Sequence, residues 1–535
     1  MTAQKRAWLG VLAVFLGLPL PVRADDAGRA REAREAIMSL DVKKAHALLD
    51  DASGEDPLIA LERARLAIYE GNYDSAAAML SKSELSRTDA GAELLGIATG
   101  SARATAGCVT EVDVERGVSL RLQDESDRPL APFLIEVAAS ARDSLARDLK
   151  VFLPRPLRIE LVRDLFTLAA MTGLPESAAQ NTGTVAVAKW GRVTMISPRA
   201  ISRGYPWADT LTHEMAHLAQ TQASGDRAPL WLQEGVAKRE ETRWRPSRSF
   251  DDFPAADAVA ASGLDKGLGR PIDKLGASIA LLPTAEQAMV AFAEVTSFVR
   301  FWIASTGDNA LPELLVRLRT STGAVPSNTA ADGAAPSNAA DGAAPDAGVP
   351  NTDDYVDQAM KGVTGVSLSE WNLKWLRYLA TVKRDLPPGM GPGADFPHDA
   401  EVRRGLALGE LLRRRSHPAA AEKVLAPAQK YAPFDPLLRH RLASVLFALG
   451  RPEEAEKLIS RTEDVHSEFG PWLALHSRWL TEKGQTEAAE AASQVGLQHS
   501  PLDPEVACQE KLPPELPNQS TWAPLCQAAR SVLQD

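Results

Sequence analysis

Apolar positions recur at helical spacing near the start of the chain, in Ala36-Ile37-Leu40 and Ala60-Leu61-Ala64-Leu66-Ala67, within a stretch rich in Ala, Leu, Glu and Arg. That period predicts two or more helical hairpins over residues 25–106. Glu70-Gly71-Asn72-Tyr73, followed by Asp74-Ser75-Ala76-Ala77, has the turn chemistry that joins two such helices. The pattern then changes to alternation in the runs beginning at Val118, Leu157, Val185 and Val193, which predicts half-buried strands of a small mixed sheet. Lys189-Trp190-Gly191-Arg192 separates the last two runs and suits a hairpin turn. From Trp207 to Gln222 the spacing is helical again.

The C-terminal part repeats itself. Ala421, Ala455 and Ala489 lie 34 positions apart, as do Gly450 and Gly484. The frames Arg415-Ser416-His417-Pro418, Leu449-Gly450-Arg451-Pro452 and Lys483-Gly484-Gln485-Thr486 each precede that alanine by three residues. This period resembles that of tetratricopeptide repeats over residues 399–500. The alanine is the small residue needed where two helices of a hairpin approach closely. The resemblance implies a concave groove for a protein partner, whose identity no motif specifies.

Residues 321–351 contain a near duplication, Pro-Ser-Asn-Thr-Ala-Ala-Asp-Gly-Ala-Ala then Pro-Ser-Asn-Ala-Ala-Asp-Gly-Ala-Ala, and are expected to be a disordered insertion. Several Pro and Gly make residues 386–397 a linker. The expected order is a signal peptide (1–24), a helical repeat-like region (25–106), a middle domain (115–385), the linker, the repeats (399–500) and a tail (501–535). The fold class expected is α+β, predominantly α.

Lys5-Arg6, the apolar stretch Ala7 to Val22 and the small-x-small site ending at Ala24 have the order of a secretory signal. Export to a periplasm or to the extracellular medium is therefore expected, with no transmembrane segment after cleavage. In an oxidising space Cys508 and Cys526 could pair, leaving Cys108 without a partner. With 59 basic against 70 acidic residues the formal charge is −11, which argues against a nucleic-acid partner.

In Thr210-Leu211-Thr212-His213-Glu214-Met215-Ala216-His217, two histidines at i and i+4 share a helix face and can reach one metal ion, with Glu214 beside them as a base. The middle domain has no other histidine, so zinc held there needs a carboxylate. Pro229-Leu230-Trp231-Leu232-Gln233-Glu234-Gly235-Val236-Ala237 supplies one on a second expected helix.

These segments resemble the gluzincins, zinc peptidases with His-Glu-x-x-His and a downstream Glu, and among them the peptidase-MA-like family. The resemblance implies a thermolysin-like gluzincin catalytic domain flanked by tetratricopeptide-like helical hairpins. It implies Zn2+ held by His213, His217 and Glu234, with Glu214 as the general base of peptide-bond hydrolysis on a protein or peptide substrate. The chain lacks the Gly-x-Met-Glu-Asn segment of gluzincin aminopeptidases, so an endopeptidase is the expectation. Glu241, seven positions after Glu234, either orients a histidine or is an ordinary surface glutamate. Where relatives carry an oxyanion-stabilising tyrosine, the aligned residue is Phe292, and Tyr205, Tyr355 and Tyr378 are the middle domain's only tyrosines. The alternative is a weak or inactive scaffold in which zinc only staples a domain between interaction modules.

Overall fold

Caps and glycine stops cut the chain into short helices around one small sheet. The computed structural model describes residues 24–52, 56–81, 84–175, 184–201, 205–247, 251–272, 279, 282–321, 353–386, 390–392, 399–433, 435–459, 470–501, 503–508 and 526. All but the last residue of the expected signal, all but Ser321 of the expected insertion, and most of the linker and tail lie outside the described residues.

The first layer is helical: α1 (Ala24–Met38), α2 (Val42–Asp50), α3 (Pro57–Glu70), α4 (Tyr73–Ser81) and α5 (Asp89–Thr105). Asp56 starts α3 by accepting from the backbone N–H groups of Leu58 and Ile59, with Pro57 in the first turn, where its missing N–H costs nothing. Gly71, at φ 81°, ends it and turns the chain into α4.

Five strands follow: β1 (Val109–Asp113), β2 (Val118–Leu122), β3 (Leu157–Val162), β4 (Ala186–Lys189) and β5 (Arg192–Ile196). Their spatial order is β1-β2-β3-β5-β4, parallel in the centre and antiparallel at both edges. Trp190 and Gly191 join β4 to β5 with φ of 57° and 68°, the double left-handed turn that matches strand twist. Helices α6 (Ala131–Leu149) and α7 (Leu165–Thr172) accompany the sheet.

The helical layer is welded to the sheet by charge. Glu160 on β3 is 2% exposed and meets Arg158 at 3.1 Å and both Arg121 and Arg192 at 3.5 Å. It also accepts from the Tyr73 hydroxyl, while Arg158 donates to the Tyr69 carbonyl. Burial pushes the Glu160 carboxyl up, but Arg192 and Arg158 outweigh it and hold it below the ordinary carboxylate range. A buried carboxylate shared among three guanidiniums is costly to open, which joins the first layer firmly to the sheet.

Next come α8 (Trp207–Ser224), α9 (Leu230–Glu240), α10 (Ala256–Asp265), α11 (Ala285–Thr306), α12 (Ala310–Thr320), α13 (Asp353–Thr364) and α14 (Leu368–Thr381). Phe298 on α11 meets Trp231 and Trp375 edge-on at 5.3 and 5.8 Å, tying α9, α11 and α14 into the main core. By length and composition α11 could cross a membrane, but it carries Glu294 and Arg300 and packs against α9, α10 and α14.

The last segment holds α15 (Asp399–Arg414), α16 (Pro418–Tyr431), α17 (Pro436–Ala448), α18 (Pro452–Ile459), α19 (Gly470–Glu482), α20 (Thr486–His499) and the short α21 (Pro504–Ala507). Ser416, Gly450 and Gly484, one per frame, take the left-handed turn at φ 60°, 70° and 74°. Ala421, Ala455 and Ala489 are all buried, as close hairpin packing requires. The 34-residue repeat in sequence is thus a repeat of helical hairpins. Cys508 and Cys526 form a disulfide, and Cys108 is free.

Candidate metal centre

Helix α8 is placed by its apolar face: Trp207, Leu211, Met215 and Ala219 are fully buried, packed among α6 and the sheet edge. Its first turn is held by Asp209, which accepts from Arg245 at 2.6 Å and from the Trp244 indole at 2.8 Å. The periodicity that buries those residues leaves His213 and His217 on the remaining face. Gly225 and Asp226, at φ 63° and 62°, then reverse the chain into α9. The Gln220 amide donates to the Gln233 carbonyl at 2.9 Å and fixes the two helices next to Glu234.

Gly235 sets the depth of α9. A β-carbon there would stand 2.5 Å from Val299 and 2.6 Å from the Val295 carbonyl oxygen, so only glycine lets α9 lie this close to α11.

Three donor atoms converge from the two helices. His213 Nε2 and His217 Nε2 are 3.2 Å apart, and Glu234 Oε2 lies 3.6 and 3.8 Å from them. A tetrahedral zinc about 2.0–2.1 Å from each donor would space them about 3.3 Å apart, close to this triangle. The Nδ1 of His213 is 3.1 Å from Glu241 Oε2, and Lys238 donates to Glu241 Oε1 at 2.7 Å. With Nδ1–H given to Glu241, the His213 Nε2 lone pair is left for the cluster. Two Nε2 atoms facing each other can share at most one hydrogen, so a divalent cation suits this donor set better than a proton does. Among the described residues these three form the group able to hold a metal ion.

In the metal-free cluster the electrostatics keep the one shared proton on His213, and a bound cation would displace it. Burial pushes His213 down, but its bonds to Glu234 and Glu241 outweigh this and raise it to about 10. Burial lowers His217 to about 4, keeping it neutral and able to donate a lone pair. Burial pushes Glu234 up, yet the adjacent His217 and His213 hold it below the ordinary carboxylate range. Burial also raises Glu241, but Lys238 and His213 prevail and bring it to about 2. Glu214 is 9% exposed, and burial pushes its carboxyl up to about 7 against the pull of His213. It receives the backbone N–H of Ala188 on β4.

All five side chains line one cavity of about 830 Å3. Phe292 lines it too, while the three tyrosines of the middle segment do not. Tyr205 donates to the Ile196 carbonyl, Tyr355 to that of Arg227 and Tyr378 to Asp257. The phenol that lines the cavity is Tyr69 of α3, whose ring meets Trp190 edge-on at 6.1 Å. Local reading of the sequence missed Tyr69, Arg34, Lys189 and Lys238. Only Lys238 carried a signal, since it lies one turn after Glu234.

No protein-family model matches this chain, and neither does any curated protein. Among solved structures, the crystal structure of the APC/C hetero-tetramer Cut9-Hcn1 aligns over 96% of this chain and 80% of that one, at 12% identity and a TM-score of 0.22. A score that low shows no common fold, and the site is read from its own geometry.

Proposed function

We propose that this chain is a zinc-dependent peptidase of gluzincin type, an endopeptidase acting on extended protein or peptide segments. The observation that carries the reading is the convergence of His213, His217 and Glu234 in one cavity with Glu214, a buried carboxyl that is not among the three donors. A purely structural zinc site closes with four protein ligands and needs no unliganded base beside it. When bound, zinc would supply Lewis acidity toward the scissile carbonyl.

The remaining roles belong to the chain. Glu214 takes a proton from the attacking water onto its carboxyl and returns it to the departing amine. The Ala188 N–H holds that carboxyl in place, and burial brings its affinity for a proton into the range where it can both accept and release one. Glu241 holds the His213 ring in the tautomer that frees Nε2. Among the described residues the outer edge of β4 has no strand partner, and apart from the Ala188 N–H given to Glu214 it can take up an extended backbone.

The C-terminal hairpins are read as tetratricopeptide-like modules for a protein partner, on the strength of their 34-residue frame. Export to the periplasm or medium is supported by the N-terminal signal pattern and by the Cys508–Cys526 disulfide. The test is metal analysis together with cleavage of unfolded proteins by wild type and Glu214→Gln. Wild type should carry one zinc per chain and cut, and the variant should carry zinc and not cut. A zinc-loaded wild type inert toward every peptide pool would support the scaffold reading instead.

A further inference from the structure

The cavity does not end at the middle domain. The same continuous space is lined by β4, by Met38 of α1, by Ala90 and Leu94 of α5, and by Leu174 just after α7. Met38, Ala90 and Leu174, with Val187, make an apolar surface over the buried Leu94, beside the edge of β4 that has no strand partner among the described residues. Arg34, one turn before Met38 on α1, and Glu93, one turn after Asp89 on α5, are exposed and line it as well. Neither has an ion-pair partner among the described residues. An apolar floor edged by a cation, an anion and a strand edge, whose Ala188 N–H alone is given to Glu214, matches a polypeptide. A lipid tail would leave those polar groups without partners.

The wall and the strand are held as one piece. Trp190, at the tip of the β4–β5 hairpin, is buried against Tyr69. A β-carbon on Gly191 would stand 2.8 Å from the Tyr69 ring and 3.3 Å from Leu40. The first helical layer therefore grips the strand that borders the donor cluster, and the Glu160 network locks that layer to the sheet.

We propose that the N-terminal helices form a side-chain subsite of the peptide cleft, in which Met38, Ala90 and Leu174 receive a large apolar side chain of an extended peptide. This rests on the peptidase reading above for the orientation of the peptide along β4. The ligand class is an unstructured segment carrying Leu, Phe or Met. The layer is then a selector of substrate, distinct in role from the C-terminal hairpins.

The test uses full-length, zinc-loaded Glu214→Gln protein and fluorescein-labelled ten-residue Gly/Ser peptides that carry a single Leu, Phe, Asp or Lys, with binding read by fluorescence anisotropy. Leu and Phe peptides should bind roughly tenfold to hundredfold more tightly than Asp and Lys peptides, the ratio expected for burying one large apolar side chain. Ala90→Trp, which fills the subsite, should abolish that preference while zinc content and the weak affinity for an all-Gly/Ser peptide stay unchanged. Met38→Ser, a milder change on the other helix, should reduce the preference and serves where the bulky variant does not fold. An unaltered preference in both variants, or none in the parent protein, overturns the subsite. Wild-type cleavage separates the two ideas: binding preference without any cleavage sinks the peptidase reading and leaves the subsite standing. Cleavage whose Leu-to-Asp ratio is the same in parent and variants sinks the subsite and leaves the peptidase standing.

Discussion

Gly235→Ala probes how the third donor is placed. In an open helix position this change stabilises by about 0.5–1 kcal/mol, because alanine loses less backbone freedom on folding. Here the new methyl would meet Val299 at 2.5 Å and the Val295 carbonyl oxygen at 2.6 Å. Ordinary carbon contacts are about 3.5–4.0 Å, so α9 must retreat by about 1 Å, since a backbone carbonyl inside α11 cannot rotate away. Such overpacking costs about 1–3 kcal/mol, which leaves a net loss of up to about 2.5 kcal/mol after the helix gain. Glu234 is the neighbouring residue and moves with the helix, whereas metal donors tolerate displacements of only about 0.2 Å. Zinc affinity should fall about 10- to 100-fold. The assay is thermal unfolding of the zinc-stripped protein and zinc titration against a chromophoric chelator. Gly96→Ala is the control, because nothing lies within 4 Å of its added methyl on the exposed side of α5. It should raise the melting temperature and leave zinc binding alone. If Gly235→Ala behaves like Gly96→Ala, the account of Gly235 as the residue that sets the depth of Glu234 is wrong.

Glu214→Gln should retain zinc and lose at least about 100-fold in turnover, the usual contribution of a general base, as measured on quenched-fluorescent peptides. Removing donors should do the opposite: His217→Ala with Glu234→Ala should abolish stoichiometric zinc by metal analysis, and equal metal content would refute the ligand set. Glu160→Ala leaves Arg192 buried without its carboxylate and should cost about 3–5 kcal/mol, with limited proteolysis opening first at the joint between the helical layer and the sheet. Burial raises fully buried Glu294 to about 8, with only the Arg270 backbone and charge opposing it. Its folded-state affinity for a proton thus exceeds that of the unfolded chain. The stability it confers is full below about pH 4.5 and is lost as pH rises through about 8. Unfolding midpoints should therefore fall between those limits in wild type, and Glu294→Gln should flatten that slope.

What could be read locally was read from residues a few positions apart. His213 and His217 share a face because 3.6 residues make a turn, and the hairpin frames at Ser416, Gly450 and Gly484 mark where a helix must reverse. Trp190-Gly191 was legible for the same reason, since a tight reversal needs left-handed backbone. Strand β1 was not, because its alternation is inverted. Val112 is 57% exposed on an outer edge while Glu111 is half-buried, so no apolar face announced it. Phe292 at the cavity wall likewise follows from a residue's place in a helix, but the phenol that does line the cavity, Tyr69, stands more than a hundred positions before the histidines. Its placement comes from Arg158, Arg192 and Glu160 drawing α3 and α4 onto the sheet. Sequence by itself therefore determined the shared face of His213 and His217 and the 34-residue repeat, both of which depend on short-range periodicity, while Glu234 and the role of Glu214 rest on a resemblance. Tertiary structure alone decided which helices wall the cleft, because burial and charge pairing between distant segments leave no pattern in any one of them.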